Sequence, residues 1–356
     1  MNGKSIFSPV PTGGIRWVDI LKAFGLLFVM MYHIHDTGPL NGFLQTFFIS
    51  VFFFAGGLLY RERDILSDLK RRARTIVVPY FVFGVLILLY WIVVERRFRP
   101  DAGTPGEALK GLLLGEYKYL GFHSHLWFLP CYFVCCVLYN CLRNLIGRRA
   151  TTLAALALSL LFALSPVFKY RIPDLPWGLD RVCRYILYFD LGAMKSVRRS
   201  LSRLRRLSPM LCLPLGLAAF ALGYFLHRLV GSDGYGWFLC GALGTLACVL
   251  FSLALDCFDL TARPMANLGV MSLVFLCLHG PCYRVLIKLL ALLLGLGTDA
   301  VRASLLFSFL ILFATLLICT VLYMLIARFL PWLVQAPPSR AEKARDGRSG
   351  KHAKRS

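Results

Sequence analysis

Charged residues are scarce in this 356-residue sequence, and acidic residues are the scarcest of them. Only 16% of the residues are charged, with 18 Asp and Glu against 40 Lys and Arg, while 58% are hydrophobic. Soluble domains average about 25% charged and about 45–50% apolar residues. The shortage of charge excludes intrinsic disorder, a small secreted disulfide scaffold and an ordinary cytosolic enzyme. It predicts an all-α, polytopic membrane protein.

Cysteine pairing motifs are also missing, although the chain has 12 cysteines. None forms a CxxC pair, and nearly all lie in apolar segments. In such surroundings cysteine behaves as a small apolar side chain, so we expect packing roles and few or no disulfides. The sequence also predicts no cleavable signal peptide, because the first apolar run is too long and no small-residue cleavage site follows it.

Ten apolar segments are long enough to cross the hydrocarbon core, which takes roughly 20 residues in a helix. The weakest is the sixth, because it contains four ionisable side chains. These segments predict a transmembrane domain over residues 1–334, followed by a disordered basic cytoplasmic tail over 335–356 close to the lipid surface. In order, the segments are 15–35, 43–60, 75–95, 125–142, 150–168, 177–194, 208–227, 234–257, 266–290 and 303–330.

Lys and Arg are distributed unevenly among the connections between these segments. Most of them fall in the N-terminal stretch, in alternate connections and in the tail, which all lie on one side of a ten-helix arrangement. Because basic residues are enriched in cytoplasmic connections, this distribution predicts that both termini are cytoplasmic. It also explains most of the net charge of +22 without nucleic acid as a partner.

Ionisable side chains inside a span are costly and are functional candidates by default. The first span has Asp19 near its cytoplasmic edge and His33 in its outer half. A separation of 14 residues places them roughly 21 Å apart on one helix face. His279 in the ninth span, and His123 and His125 at the start of the fourth, reach the same outer depth. They predict a polar cavity open to the outer side; a histidine facing lipid headgroups is the alternative for His33.

A cluster of arginines precedes the third span, at its cytoplasmic mouth. Arg71, Arg72 and Arg74 come directly before the apolar run. Guanidinium groups suit planar, bidentate recognition of phosphate, so these residues are candidates for a phosphate site. The alternative is that they only set the orientation of the span.

A metal site is the second alternative for the histidines. Its ligands would be His33, His35 and Asp36, or His123 and His125. Side chains two positions apart on a helix do not face each other, so His33 and His35 cannot both point into one helical site. No cysteine joins a ligand-spaced pair. The sequence therefore predicts no bound metal.

Five segments in chain order resemble motifs of the acyltransferase-3 family, whose members are bacterial integral-membrane enzymes that O-acylate cell-surface and exported carbohydrates. Ala55 and Gly57 depart from the family, which usually has a serine and an aromatic residue there. The chain length and ten spans are also similar to the fucose O-acetyltransferase-like subgroup. The matching segments are Asp19 with Leu21-Lys22-Ala23 and His33, Phe52-Phe53-Phe54-Ala55-Gly56-Gly57, Arg71 with Arg74, Pro79 and Tyr80, His125 to Leu129, and Leu268-Gly269 with Ser272 and His279.

The resemblance implies an enzyme of the bacterial inner membrane that binds no resident cofactor. It would move an acyl group, by default acetyl, from cytoplasmic acyl-CoA to a hydroxyl of a carbohydrate or glycolipid. Arg71, Arg72 and Arg74 are the candidates for holding the phosphates of CoA. The pantetheine arm would then thread inward to reach His33, while the acceptor enters from the outer side.

The catalytic candidates are His33, His279 and Asp19. His33 suits the general base, because neutral imidazole has a pKa near the working pH. An acyl-histidine intermediate is the alternative to direct transfer. We expect Asp19 to pair with Arg16 or Lys22 at the inner edge of the membrane.

The candidates for binding the acceptor are His125, Trp127 and Ser272. His125, Ser272 or His279 could alternatively orient His33 or stabilise the thioester oxyanion. Trp127 is either a residue of the interfacial aromatic belt or a stacking platform for a sugar.

A transporter or flippase for a lipid-linked sugar is the main rival function. It too would need about ten helices, intramembrane charges and an outward polar cavity. It would not need phosphate-binding arginines at the inner mouth together with a histidine in the outer half. The sequence therefore favours the acyltransferase.

Overall fold

The computed structural model describes residues 15–35, 38–99, 103–168, 173–205, 209–231 and 233–334, and all its regular structure is helical. The predicted tail lies outside the described residues. The helices are α1 (Arg16–Ile34), α2 (Gly38–Leu58), α3 (Ile65–Arg72), α4 (Val78–Val93), α5 (Pro105–Leu114), α6 (Phe128–Leu164), α7 (Leu179–Ala193), α8 (Lys195–Leu204), α9 (Pro209–Val230), α10 (Tyr235–Leu255), α11 (Asp259–Val270), α12 (Ser272–Leu294), α13 (Thr298–Ala303), α14 (Leu305–Phe329) and α15 (Pro331–Val334).

Eight helical runs among the described residues are long and apolar enough to cross a membrane. This confirms the all-α, multi-pass architecture. Seven of the ten predicted segments correspond to one run each, and a π-helical turn, Ala73–Val77, joins α3 to α4 within one of them. The runs are Arg16–Ile34, Gly38–Leu58, Ile65–Val93, Ser124–Leu164, Pro209–Val230, Tyr235–Leu255, Ser272–Leu294 and Leu305–Phe329.

The predicted segments 125–142 and 150–168 form one helical run that folds back on itself. Gly147 breaks it, with a φ of 73° that glycine adopts more readily than other residues. A straight helix would separate Phe128 from Phe162 by about 50 Å, yet both line the same cavity. α6 is therefore a hairpin of two antiparallel arms, which explains why two spans were expected there.

The remaining predicted segment, 177–194, contains α7, which has only 15 residues. Its length corresponds to about 22 Å of helix rise, short of a full hydrocarbon core. Its N-terminal part carries the charged side chains Asp180, Arg181 and Arg184 into the wall of a cavity. The four ionisable residues therefore shorten the apolar stretch without removing α7 from the bundle.

Close packing between α2 and α7 depends on two glycines. A Cβ atom at Gly57 would collide with the backbone oxygen of Phe189, and one at Gly192 would collide with the backbone oxygen of Phe54. The helices can approach this closely because neither contact position has a side chain, as in other membrane helix pairs. This contact explains why Gly57 is suitable where an aromatic residue was expected.

The helices differ in how much of their surface the protein buries. In α1 and α10 the protein buries 61% of the most apolar stretch, and in α2 it buries 72%. In α9 and α14 only 22% is buried, although both are strongly apolar. Because lipid tails are a suitable solvent for exposed leucine and phenylalanine, α9 and α14 are the lipid-facing periphery.

Ion pairs fasten the start of α1 to the segment between α10 and α11. The guanidinium of Arg16 lies 2.5 Å from the carboxylate of Asp256 and 2.5 Å from that of Asp259. The guanidinium groups of Arg16 and Arg263 hold the pKa of Asp259 below its usual range. Arg16 is therefore not the partner of Asp19, whose carboxylate pairs instead with Lys22 at 2.8 Å.

Candidate active site

Three histidines from distant parts of the chain meet at one point of the bundle. His33 lies in the last turn of α1, His125 in the short turn Ser124–Trp127 before α6, and His279 in α12. The ring centroids of His33 and His125 lie 4.0 Å apart, and those of His125 and His279 4.4 Å. The rings of His33 and His279 are 6.0 Å apart. The histidines expected at one depth therefore form a cluster, with His125 in the middle.

The hydrogen bonding of His279 fixes which of its nitrogens carries a proton. Its Nδ1 lies 2.7 Å from the backbone oxygen of Phe275. A carbonyl oxygen only accepts, so Nδ1 is the donor and Nε2 of the neutral ring keeps its lone pair. Nε2 is buried and has no hydrogen-bond partner among the described residues. His279 therefore presents a free acceptor to the cluster.

His125 has unused hydrogen-bonding capacity on both nitrogens. The side chain is buried, and neither Nδ1 nor Nε2 has a partner among the described residues. Buried polar atoms are normally satisfied, so such exceptions need an explanation. A neutral imidazole has one donor and one acceptor, and His125 could offer either to a bound molecule.

His123 packs against His125 and so supports the cluster. Its ring centroid lies 4.8 Å from that of His125, and the side chain is completely buried. A Cβ atom at Gly280 would collide with the ring of His123, so the glycine next to His279 creates the space for it. The sequence placed His123 at the right depth but did not show this packing.

Tyr283 and an ion pair complete the surroundings of the cluster. The ring of Tyr283 is nearly parallel to that of His33, 6.4 Å away, and lies 5.9 Å from that of His279. Next to it, Arg284 binds the two carboxylate oxygens of Glu95 at 3.0 Å each. Sequence analysis missed this pair because its members are 189 positions apart. The presence of an arginine in the middle of an apolar helix was the available signal.

A cavity of about 590 Å3, here named the histidine cavity, opens beside His33 and His125. Trp127 lines it, with the guanidinium of Arg181 4.5 Å from its ring centre. The location of Trp127 in a cavity wall favours its interpretation as a stacking platform over the aromatic belt. Other lining residues are Tyr32, Gln45, Tyr117, Phe162, Asp174, Asp180, Arg184, Tyr185 and Trp237.

A second cavity of about 970 Å3, here named the basic cavity, lies towards the other end of the bundle. Arg71 and Arg72, two of the three candidates for phosphate binding, line it, and both pair with Asp68, at 2.8 Å and 2.5 Å. Arg74 is exposed and is not among the lining residues. Three further arginines line this cavity, although the sequence indicated for them only a role in orienting the helices in the membrane. They are Arg61, Arg63 and Arg198.

The arginines of the basic cavity differ in how strongly the protein already engages them. Arg198 donates to the backbone oxygens of Gly57 and Tyr60, at 2.7 Å and 3.0 Å, and so caps the end of α2. The guanidinium groups of Arg61 and Arg63 are exposed and have no ion pair among the described residues. Burial and the nearby Glu62 carboxylate raise the pKa of Tyr60 to about 12, so this wall residue stays neutral.

Asp19 and Ser272 lie at the basic cavity, away from the histidines. Both line that cavity, together with Lys22. About 21 Å of helix rise separates Asp19 from His33, and about 10 Å separates Ser272 from His279. The structure therefore groups His33, His125 and Trp127 around one cavity, with the buried His279 in contact with His125, and places the two other predicted residues with the arginines.

The two cavities meet at two apolar side chains. Phe128 and Leu276 are the residues that line both cavities. Phe128 is held by aromatic neighbours, with ring centroids 5.5 Å from Phe52 and 5.5 Å from Tyr132. We name Phe128 and Leu276 the junction.

The histidine cluster offers three possible metal ligands. Nitrogen atoms of His33, His125 and His279 lie within 4.8 Å of one another. Tetrahedral zinc, with bonds of about 2.0–2.1 Å, brings its ligand nitrogens to about 3.3 Å, so the cluster would have to contract. The first ligand set considered from the sequence does not form there, because His35 contacts the oxygens of Arg302 and Ser308, and Asp36 lies outside the described residues. The rings of the second set, His123 and His125, have centroids 4.8 Å apart. The absence of a metal stays a prediction.

Comparison with known proteins identifies the family. Residues 15–324 match the family model described as an acyltransferase domain. Because this match covers most of the chain, the protein belongs to the acyltransferase 3 family and is a multi-pass integral membrane protein. No curated protein and no solved structure matches the chain.

Proposed function

We propose that the protein is a membrane O-acyltransferase that moves an acyl group, by default acetyl, from cytoplasmic acyl-CoA to a hydroxyl of a carbohydrate or glycolipid. One observation carries this proposal: a basic cavity and a histidine cavity meet at Phe128 and Leu276, beside the histidine cluster. Two substrates could approach the histidines from opposite ends of the bundle. Family membership favours this function over a transporter for a lipid-linked sugar.

The donor would bind in the basic cavity. Arg61, Arg63 and Arg71 have guanidinium groups at its exposed end and suit the phosphates of CoA. Arg72 is buried against Asp68, and its role is to hold the helix end. The exposed position of Arg74, outside the cavity, leaves it out of the proposed site. The pantetheine arm would then span on the order of 15–20 Å, by the helix rise from the inner edge to His33.

The orientation of the protein follows from its basic connections. The segments that precede α3 and α9 are rich in Lys and Arg, and Arg61, Arg63 and Arg198 from these segments line the basic cavity. The positive-inside rule places this end in the cytoplasm, where acyl-CoA is made. The inner membrane of a bacterium is the location that combines these properties.

The acyl transfer would use His33 as the general base. Its imidazole takes the proton of the acceptor hydroxyl, whose oxygen attacks the thioester carbonyl carbon. The C–S bond then breaks, and the CoA thiolate receives the proton from His33. In this direct route the C–O ester bond replaces the thioester bond, and no oxidant or metal takes part.

The neighbouring histidines would have different roles, because their hydrogen bonding differs. His279 keeps a lone pair on Nε2, so it can accept an N–H from His125 or a hydroxyl of the acceptor. His125 has a free N–H, which can donate to the thioester oxygen as negative charge develops there. Asp19 lies too far from His33 to take part and neutralises Lys22 instead.

Release of free CoA by the purified protein in nanodiscs tests this function. We expect His33→Ala to reduce acetyl-CoA consumption by about 100-fold or more, since general-base catalysis contributes 10²–10⁴-fold. His227→Gln is the matched control, because this histidine lines neither cavity. Wild-type protein that neither binds nor consumes any acyl-CoA, with a crude surface-glycan extract present, would contradict the proposal.

A further inference from the structure

Arg184 lies between two aromatic rings in the wall of the histidine cavity. Its guanidinium carbon is 4.5 Å from the ring centre of Phe162 and 4.4 Å from that of Trp237. Stacking on aromatic faces is typical of guanidinium groups and holds the plane in one orientation. Contacts with both rings hold the guanidinium group in the cavity wall, where it can meet a ligand.

The ion pairs of this region leave Arg184 without an acidic partner. Of the two carboxylates that line the histidine cavity, Asp180 lies 3.8 Å from Arg181 and Asp174 lies 3.9 Å from Lys118, which Glu116 also contacts. Among the described residues, no carboxylate comes within 4.0 Å of Arg184, and its polar neighbour is the Tyr185 hydroxyl. Its buried Nε has no hydrogen-bond partner there.

A second unsatisfied donor lines the same cavity. The indole Nε1–H of Trp237 is buried and has no hydrogen-bond partner among the described residues, and only 4% of the side chain is exposed. A buried polar group without a partner is destabilising, and so is an unpaired charge inside a membrane. The histidine cavity holds both, and both are donors.

We propose that Arg184 and Trp237 bind an anionic group of the acceptor, either a carboxylate or a phosphate. The part of this statement that concerns an acceptor rests on the proposed function, whereas the binding of an anion does not. A planar guanidinium edge next to an N–H suits two oxygens of one anionic group. The acceptor is then an acidic sugar, or a sugar whose phosphate lies close to the reacting hydroxyl.

Binding of matched sugars to the full-length protein in nanodiscs tests this site, with saturation-transfer NMR as the readout. The probes are methyl β-glucoside, methyl β-glucuronide and methyl β-glucoside 6-phosphate, which differ in the group at carbon six. We expect wild-type protein to bind at least one of the charged probes about tenfold more tightly than the neutral one. A preference for glucuronide alone indicates a carboxylate, and a preference for the phosphate alone indicates a phosphorylated acceptor.

The variants separate a binding role from a structural one. Arg184→Gln should remove the charge preference and leave binding of the neutral sugar unchanged, while Arg184→Lys should retain part of the preference. Trp237→Phe keeps the ring but loses the N–H, so we expect about a threefold loss for the preferred anion. Arg263→Gln is the control, because this exposed arginine lies outside both cavities. An unchanged melting temperature shows that each variant is folded.

Two results would overturn the inference: wild-type protein that binds neither anion in preference to the neutral sugar, or an Arg184→Gln variant that keeps the preference. Acetyl-CoA consumption is measured on the same preparations. A charge preference without consumption of acetyl-CoA would refute the proposed function and leave the anion site in place. Consumption of acetyl-CoA without a charge preference would refute the anion site and leave the proposed function in place.

Discussion

The two cavities are built from different kinds of residues. The basic cavity takes its charge from a short stretch of sequence before α4, and its arginines Arg61, Arg63 and Arg71 are exposed. The histidine cavity takes its polar groups from helices and turns that are far apart in the sequence, and His125, Tyr185 and Trp237 among them are buried. Exposed guanidinium groups can follow a mobile phosphate, whereas buried imidazoles hold a fixed geometry. This difference matches a binding site at one end and a reaction centre at the other.

Unsatisfied hydrogen-bonding groups show the same contrast. Buried nitrogen atoms without partners in the described residues occur at the histidine cavity and its cluster, in His123, His125, His279, Arg184 and Trp237, whereas the basic cavity has one such oxygen, Oδ2 of Asp19. In the basic cavity, Asp68 and the backbone oxygens at the end of α2 engage Arg71, Arg72 and Arg198. A preorganised reaction site keeps such groups free for the transition state.

Blocking the junction would separate the two cavities without touching either set of polar groups, and it tests the comparison between them most strongly. We expect Leu276→Trp to reduce CoA release by more than tenfold while acetyl-CoA binding stays within about twofold. The reason is that displacing reacting groups by about 1 Å can cost on the order of 100-fold in rate. Leu273→Trp is the control, because Leu273 lines only the basic cavity. Equal losses of CoA release in both variants would refute the role of the junction as the passage between the cavities.

Breaking the buried pair between Glu95 and Arg284 tests the rigidity of the histidine end. Glu95→Gln removes one charge from a buried pair, which typically costs about 3–5 kcal/mol of stability because the partner is left uncompensated. Asp259→Asn removes one charge from exposed pairs and should lower the melting temperature far less. Thermal unfolding in one detergent compares the two variants. Equal shifts in melting temperature would contradict the distinction between a buried and an exposed ion pair.

Removing guanidinium groups from the basic cavity should weaken donor binding without changing the chemical step. We expect Arg61→Gln and Arg71→Gln each to raise the KM for acetyl-CoA about threefold to tenfold, with kcat unchanged. The effect should shrink at high salt, since these side chains are exposed. Arg74→Gln carries the same change next to the cavity and should raise KM by less than twofold. A loss of kcat in Arg71→Gln would argue against a pure binding role.

Metal chelation should have the smallest effect of all. The nitrogen atoms of the three histidines lie within 4.8 Å of one another, whereas zinc brings its ligand nitrogens to about 3.3 Å, so the cluster would have to contract to bind it. We therefore expect dialysis against EDTA to leave acetyl-CoA consumption unchanged. Loss of activity, restored by zinc, would show that the three histidines bind a metal.

Periodicity and charge were sufficient to predict the helical architecture and the depth of the key histidines. Ten spans were expected and eight long runs are present, because Gly147 joins two of them in a hairpin and because charged residues shorten α7. Depth along a helix is proportional to residue number, so His33 and His279 could be placed at one level.

Partners across the bundle could not be predicted from the sequence. The contacts between Arg284 and Glu95, and between Arg184, Phe162 and Trp237, join residues that no local pattern relates. The sequence also grouped Ser272 with His279, although about 10 Å of helix rise separates them. Spacing gives the depth and face of a side chain, whereas the partner depends on how the helices pack.

We propose that the donor enters by the basic cavity, from the cytoplasm, and reaches His33 from that side. Consumption of acetyl-CoA by inverted and by right-side-out membrane vesicles tests it most directly, because acetyl-CoA does not cross the bilayer. We predict that only inverted vesicles, with their cytoplasmic face outward, consume it, and that His33→Ala abolishes the consumption. Consumption confined to right-side-out vesicles, or equal in both, would contradict the account.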